Sequence, residues 1–243
     1  MGVRGIPEIR KGDDIGAIIL NALRKHGNGL KENDIVVVTQ KIVSKAEGRV
    51  MALSSFRPSK RATKLAARLG KDSKHVQAIL EESRRILRAE NGIIIVETKH
   101  GLICANAGID QSNLVPSMVS LLPKDPDTSA RKIKSSIKNK TEITVGVIIS
   151  DTFGRPFREG HVNIAIGVAG MKPMMDYRGK DDGYGNVLKV TVMAVADEIA
   201  SAAELAMGKL ERVPVAIVRG YKYQKRDGGS KDLIRPFSNN LFK

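Results

Sequence analysis

Short runs rich in valine and isoleucine, separated by helical patterns in irregular order, constrain the fold of this chain more than any other feature. DIVVVTQ, GIIIV and PVAIVRG are three such runs, and each is long enough for a buried strand. The strand and helix patterns follow one another without a regular βαβ cadence, and the chain has no internal repeat. This order predicts the α+β class, with mixed sheets and helices, rather than a doubly wound parallel sheet.

Apolar periodicity predicts where the main elements lie. Residues from Ile15 to Leu23 have the spacing of a half-buried helix, with Asp13 or Asp14 as its N-cap. Strands are expected over 93–98 and 101–105, as a hairpin, and over 143–149. Further helices are expected in four places, at about 59–69, 73–87, 127–138 and 190–207.

Composition indicates an intracellular globular protein. The chain has 243 residues, of which 42% are hydrophobic, so it can bury a substantial core. Cys104 is the only cysteine, which excludes an internal disulfide and a metal site made of several thiolates. The amino-terminal residues show no secretory signal, and no apolar run approaches the roughly 20 residues of a membrane span. We therefore expect a cytoplasmic protein without membrane contact.

The charge of the chain favours anionic partners. Forty-one Lys and Arg against 26 Asp and Glu give a net charge of +15, which attracts nucleic acid or phosphate-rich small molecules. Aromatic residues make up only 4%, with no tryptophan, so platforms for stacking single-stranded bases are scarce. A basic nucleic-acid-binding protein remains an alternative function, and steeply salt-dependent binding of an oligonucleotide would identify it.

Two polar clusters follow apolar runs and could form a metal site. ANAGIDQSN contains Asp110 and Asn113, and SDTFGR contains Asp151 and Thr152. If the two carboxylates come together, a cation between them relieves their repulsion, and the all-oxygen ligand set suits Mg²⁺ or Mn²⁺. The alternative is that Asp110 forms a turn and Asp151 caps a helix or a loop. Familiar phosphate-binding and hydrolase motifs are absent from the sequence.

Basic side chains near these clusters could bind an anion. Lys41 and Lys45 follow the run DIVVVTQ, where an ammonium group can hold a phosphate, although a charged strand end facing water is an alternative. Arg155 and Arg158 lie among glycines in GRPFREGH and could bind a carboxylate or phosphate bidentately. His161 could act as a base or have a structural role.

Several longer motifs together resemble one enzyme family. GIPEI, VSKAEGR, NAGIDQSN, ISDTFGRPFREG, NIAIGVAGM, VADEIASAAELAMG and PVAIVRG occur in order over roughly residues 5 to 221. In sequence and spacing they resemble the coenzyme F420-0:L-glutamate ligases, the archaeal F420 gamma-glutamyl ligase family. The resemblance implies a two-lobed catalytic unit over 1–221 and leaves 222–243 as a polar extension.

The resemblance implies a GTP-dependent carboxylate-amine ligase. Such an enzyme adds L-glutamate to coenzyme F420-0, then a second glutamate through a gamma linkage, by way of an acyl phosphate, releasing GDP and phosphate. It also implies a homodimer, two divalent cation sites filled by Mg²⁺ or Mn²⁺, and K⁺. A related nucleotide-dependent ligase with another carboxylate acceptor is an alternative.

The resemblance also assigns roles to individual positions. Asp110 and Asp151 are expected to bind one metal ion, and Thr152 a second. The residues expected to act in catalysis are Asp110, Asp151, Lys45 and Arg155, where the anion-binding role of Arg155 is inferred from its charge. The residues expected to contact GTP are Ile6, Pro7, Glu8, Ile9, Gln40, Lys41, Lys45, Asn113, Met207, Gly208, Lys209, Leu210, Glu211, Arg212 and Val213.

One position departs from the family pattern. Some members have a metal-binding acid just after the Met-Gly that ends the long helix, whereas this chain has Lys209. Either Glu211 replaces that acid from two residues further on, or the second metal ion is held more weakly.

Overall fold

The structure is a computed structural model that describes residues 1–226 and 228–239. In this part of the chain the helices are α1 (Ile15–Lys25), α2 (Gln40–Ala46), α3 (Lys60–Leu69), α4 (Ser73–Glu82), α5 (Pro126–Thr141) and α6 (Val195–Met207). The strands are β1 (Ile35–Thr39), β2 (Val50–Ala52), β3 (Ser83–Glu90), β4 (Ile93–Thr98), β5 (Ile103–Ala105), β6 (Met118–Ser120), β7 (Gly146–Arg155), β8 (Arg158–Ala169), β9 (Met175–Asp176), β10 (Val192–Met193) and β11 (Val215–Val218). Mixed sheets and helices confirm the α+β class. Among the described helices, none combines the length and apolar character needed to span a membrane.

The central sheet has the strand order β11-β1-β7-β8, with β1 parallel to β7 and the other pairs antiparallel. Successive residues of β1 point to opposite faces. Val36 and Val38 pack into a core with α1 and α5, whereas Ile35 and Val37 pack with α6. Because helices cover both faces, β1 is apolar along nearly its whole length, and each fully buried side chain stabilises the fold by roughly 1.5–3 kcal/mol.

A further apolar core lies between α3, α4 and the three-stranded sheet β3-β4-β5. Ile79 of α4 and Ile94 and Val96 of β4 are fully buried there. The paired strands β2 and β6 lie at its edge, because Val119 of β6 belongs to the same core. The predicted hairpin of 93–98 and 101–105 is confirmed, with the second strand beginning at Ile103.

The helix predicted over 73–87 is wrong in its second half. The helix ends at Glu82, where the Ser83 hydroxyl donates to the carbonyl of Ile79, and the chain continues as β3. Ile86 then pairs with Val96 of β4. The apolar spacing fitted a helix. However, pairing with the edge of β4 that β5 leaves free satisfies the backbone hydrogen bonds of this segment and determines its structure.

Two other predicted boundaries were also wrong. The strand predicted over 143–149 begins at Gly146 and continues through the polar cluster to Arg155, because it pairs with β8 along most of its length. The helix predicted from about 190 begins at Val195. The residues just before it are rich in β-branched side chains, which favour strands, and two of them form β10. The helices predicted at 59–69 and 127–138 are confirmed as α3 and the slightly longer α5.

The described part of the segment after residue 221 packs onto the central sheet. Tyr223 and Leu233 contact the core beside α6, and Ile234 contacts the opposite core. The carboxylate of Asp127, at the start of α5, accepts hydrogen bonds of 2.8 Å from the backbone amides of Ser230 and Val168. These contacts attach the segment to the fold on both sides of the sheet.

Candidate active site

A cavity of about 700 Å³ opens at the carboxyl end of β1. Five separated parts of the chain supply most of its wall, namely 6–9, 39–45, 110–113, 150–152 and 207–214. The parallel pairing of β1 with β7 explains part of this convergence, because it places Thr39 opposite Ser150. The residues that follow each strand therefore emerge at the same end of the sheet.

Asp110 is held at the cavity wall by backbone and side-chain contacts. Its backbone forms an isolated antiparallel bridge with Ser120. Its carboxylate accepts hydrogen bonds from the ammonium of Lys41 and from the amide and hydroxyl of Ser112, the latter two at 2.7 Å. Burial acts to raise the pKa of Asp110, but these hydrogen bonds outweigh it, so the pKa lies below its usual value. Asp110 is therefore an anion at neutral pH.

Asp151 lies in β7 and lines the same cavity, but its pKa is shifted in the opposite direction from that of Asp110. Its pKa is raised to about 7, chiefly by loss of hydration and also by the negative charge of Asp110, while a hydrogen bond from the backbone amide of Thr152 and the charges of Lys41 and Lys209 oppose the shift. The two carboxylates, 41 positions apart in the chain, line the same cavity, which is why the charge of Asp110 disfavours ionisation of Asp151. A cation between them would favour the ionised form of Asp151.

Thr152 is the next residue of β7 and belongs to a short chain of hydrogen bonds. Its hydroxyl donates to the side-chain oxygen of Asn163, directly opposite on β8, at 2.8 Å. The ammonium of Lys209 donates to the same hydroxyl at 2.5 Å. Lys209 follows α6, so this contact ties the end of that helix to the middle of β7.

The other two lysines of the cavity are both paired with carboxylates. Lys41 donates to Asp110 and also to the carbonyl and hydroxyl of Ser112, at 2.5 and 2.8 Å. Lys45 donates to Glu8 at 2.5 Å. Both lysines lie on α2, directly after β1 and one turn apart, so they present their ammonium groups from one helix, and the alternative of a charged strand end facing water is wrong.

Most residues expected to contact GTP line this cavity. These are Ile6, Pro7, Glu8, Ile9, Gln40, Lys41, Lys45, Asn113, Met207, Gly208, Lys209, Leu210, Arg212 and Val213. Glu211 is exposed and is not part of the lining. Its side chain packs close to Gly208, where a Cβ would stand only 2.8 Å from the Cγ of Glu211.

Arg155 is not brought to the cavity within this chain. It ends β7 at the turn into β8, and its guanidinium donates to the carbonyl of Glu159 at 2.5 Å. Arg158, Glu159 and His161 are exposed on the same hairpin. The cluster SDTFGRPFREGH is thus divided, with Ser150, Asp151 and Thr152 in the cavity wall and the residues from Phe153 onward outside it.

Sequence reasoning missed several cavity residues. Asn163 is buried where β7 and β8 pair, and the amide at the start of the apolar run NIAIGVAGM was the available signal. Glu204 of α6 also lines the cavity, but it lies on the helical pattern used to predict that helix and had no separate signal. Ser112 stands two residues after Asp110, the spacing of an Asx turn.

The carboxylates fit one hard cation. Asp110 and Asp151 both line the cavity and would offer carboxylate oxygens, the ligands that Mg²⁺ and Mn²⁺ prefer. Within residues 1–226 and 228–239, no group of three or more His, Cys, Asp or Glu side chains converges to hold a metal ion. A cation bound here would therefore complete its coordination with water or with a bound anion.

Comparison with known proteins identifies the family. The family model described as F420-0:Gamma-glutamyl ligase matches residues 3–220. This chain belongs to that family. The F420-0:gamma-glutamyl ligase model thus covers every segment that lines the cavity.

Full-length relatives agree with this assignment. The coenzyme F420:L-glutamate ligase of Methanothermobacter thermautotrophicus is 48% identical, with 100% of this chain and 98% of the relative aligned. The proteins of the same name from Archaeoglobus fulgidus and Methanocaldococcus jannaschii are each 46% identical. The first alignment covers 99% of this chain and 94% of the relative, and the second 88% and 86%. Membership in the F420-0:gamma-glutamyl ligase family therefore extends over nearly the whole chain.

Proposed function

We propose that this chain is a GTP-dependent ligase that adds L-glutamate to coenzyme F420-0, and then adds a second glutamate through a gamma linkage. The family and the names of the relatives support coenzyme F420 and glutamate as reactants. The observation that carries the proposal is the cavity, which is lined both by the carboxylates Asp110 and Asp151 and by three lysines, Lys41, Lys45 and Lys209.

The reaction divides into two transfers. The γ-phosphoryl group of GTP moves to the carboxylate of F420-0, so that GDP leaves and an acyl phosphate forms. The amine of glutamate then attacks the acyl carbon, the carbon–oxygen bond to phosphate breaks, and the amine loses a proton. Phosphoryl transfer requires little covalent chemistry from the protein, because positioning and charge neutralisation lower the barrier.

The residues of the cavity supply these two contributions. A divalent cation held by Asp110 and Asp151 would neutralise charge on the triphosphate. Lys45 lies beside the exposed Glu8 and can turn from that carboxylate to a phosphate oxygen. Lys41 holds Asp110 ionised and in position, so it acts on the metal site through its neighbour.

Arg155 is proposed to bind the anionic coenzyme or glutamate. Because its hairpin lies outside the cavity of the same chain, this role requires the hairpin to move or to come from a partner subunit. A homodimer, a requirement for K⁺ and a cytoplasmic location stay predictions from the family resemblance.

Mass spectrometry of a reconstituted reaction tests the function. The protein is incubated with GTP, Mn²⁺, L-glutamate, K⁺ and F420-0, and the coenzyme is expected to gain one and then two glutamyl residues. Parallel reactions omit GTP, replace it with ATP, replace K⁺ with Na⁺, or offer another carboxylate in place of F420-0. A product that forms without nucleotide would overturn the proposed mechanism, and a preference for the other carboxylate would overturn the proposed acceptor.

A further inference from the structure

On the basis of the proposed function, we infer that the ammonium of Lys209 takes the place of a second divalent cation in this site. The chain would then bind one divalent ion per cavity and use a covalently attached positive charge beside it. The inference concerns the region around Thr152, which the family resemblance assigns to a second metal ion.

The hydrogen bonds of Thr152 carry the first step. A threonine hydroxyl has one proton and two lone pairs. Its proton is directed to Asn163 and one lone pair accepts from Lys209, at 2.8 and 2.5 Å. A divalent ion bound to this oxygen, at about 2.1 Å for Mg²⁺, would stand next to the ammonium group and be repelled by it.

The shortage of anionic ligands carries the second step. Asp110 and Asp151 form one carboxylate pair, and a second divalent ion usually takes one or two carboxylates of its own besides water and phosphate oxygens. Glu204 lines the cavity, but it forms no group of three acidic, His or Cys side chains within residues 1–226 and 228–239. Glu211, the candidate replacement acid, is outside the lining. The residues present therefore do not fit a second divalent site.

The backbone fixes Lys209 where it can act. Met207 and Val213 are buried on either side of this segment, which anchors it to the fold. Gly208 between them has a φ of 62°, a conformation that glycine adopts readily, and it turns the chain sharply at the end of α6. Lys209 therefore reaches Thr152 of β7 from an exposed segment whose two ends are buried.

The ammonium group of Lys209 is also available to pair with a bound anion. Lys41 and Lys45 are paired with Asp110 and Glu8, whereas Lys209 forms no ion pair with any carboxylate that the structure describes. An ammonium so placed can neutralise a phosphate oxygen at the position that a second divalent ion would serve.

Counting bound Mn²⁺ tests the inference without measuring catalysis. Free Mn²⁺ is followed by electron paramagnetic resonance while it is titrated into full-length protein saturated with GDP. Wild type is expected to bind one Mn²⁺ per chain, and Lys209→Glu is expected to bind two, because the new carboxylate lies next to Thr152. Lys209→Gln is expected to bind one Mn²⁺ and to lose at least about tenfold in GDP affinity, since a charged contact with phosphate is removed. Lys74→Glu, an exposed charge reversal on α4 outside the cavity, is the matched control and should behave as wild type.

The outcomes separate this inference from the proposed function. Two Mn²⁺ per chain in wild type, or one in a folded Lys209→Glu variant, would overturn the role of Lys209. If Lys209→Glu does not fold, as judged by circular dichroism, Lys209→Gln decides, and unchanged GDP affinity would overturn the inference. Wild type that binds GDP with one Mn²⁺ but does not extend F420-0 would overturn the proposed function alone. Wild type that binds no Mn²⁺ would overturn both.

Discussion

The two halves of the motif SDTFGRPFREGH have different environments, although they are contiguous in sequence. Asp151 and Thr152 lie within the cavity, just past Ser150, where the pairing of β7 with β1 ends and its pairing with β8 continues. Four residues later Arg155 is roughly 13 Å further along the strand, at about 3.3 Å per residue, and Phe157 beyond it is 88% exposed. A conspicuous polar motif can thus contain one part that forms a site within its own chain and another part that does not.

The largest expected effect comes from the half inside the cavity. Asp151→Asn keeps the shape of the side chain but removes a charge that we propose binds metal. Glutamate addition to F420-0 should fall by at least about a thousandfold in kcat, with the circular dichroism spectrum unchanged. Near-normal turnover by this variant would remove Asp151 from the reacting centre and weaken the distinction between the two halves.

Lys45→Ala tests the cationic side of the same cavity. We expect the affinities for GTP and for GDP both to fall by about ten- to a hundredfold, because a charged contact with phosphate is lost, with a smaller change in kcat. Calorimetric titration with GDP and Mn²⁺ measures this directly. Glu8→Gln is the control, because it frees Lys45 from its ion pair without removing the ammonium group. Equal GDP affinity in wild type and Lys45→Ala would contradict the assigned role.

The stability of the metal-free protein should depend on Asp151. Its pKa is about 7 in the folded chain, against about 3.9 for an unfolded aspartate. Between these values the folded state keeps a proton that the unfolded state has released, so stability falls as pH rises from about 4 to 7. At pH 8 with a chelator, Asp151→Asn should be more stable than wild type by on the order of 2 kcal/mol, and the difference should shrink toward pH 4. Thermal unfolding followed by circular dichroism checks this, and parallel pH profiles of the two proteins would contradict it.

The smallest expected effect belongs to the exposed half. Arg155→Ala should raise the KM for F420-0 by less than about tenfold, with GTP affinity unchanged, because the guanidinium contacts Glu159 and not the cavity. Steady-state kinetics at varied F420-0 measure the change. A large fall in kcat would instead place the hairpin at a reacting centre. If that centre belonged to a partner subunit, specific activity would fall as the protein is diluted.

Elements with one clear periodicity could be predicted from sequence, and elements decided by distant pairing could not. Helix α3 and strand β1 match the prediction because their patterns fit a single structure. The segment around Ile86 fits both a helix and a strand, and pairing with β4 decided between them.

The candidate site shows the same limit. Reasoning from residue types left open whether Asp110 and Asp151 meet, because neither the bridge from Asp110 to Ser120 nor the parallel register of Thr39 with Ser150 is visible in sequence. The contact of Lys209 with Thr152 joins residues 57 positions apart and had no local signal. The resemblance named both positions but gave no indication that they touch.

The parallel pairing of β1 and β7 has a consequence for how the protein folds during its synthesis. The cavity wall begins at Ile6 and ends at Pro214, and its two sides are joined by a strand pair that spans more than a hundred residues. Long-range pairing of this kind forms late and slowly. If the cavity binds GTP, as we propose, a nascent chain cannot hold the nucleotide until the chain has been synthesised at least as far as Pro214.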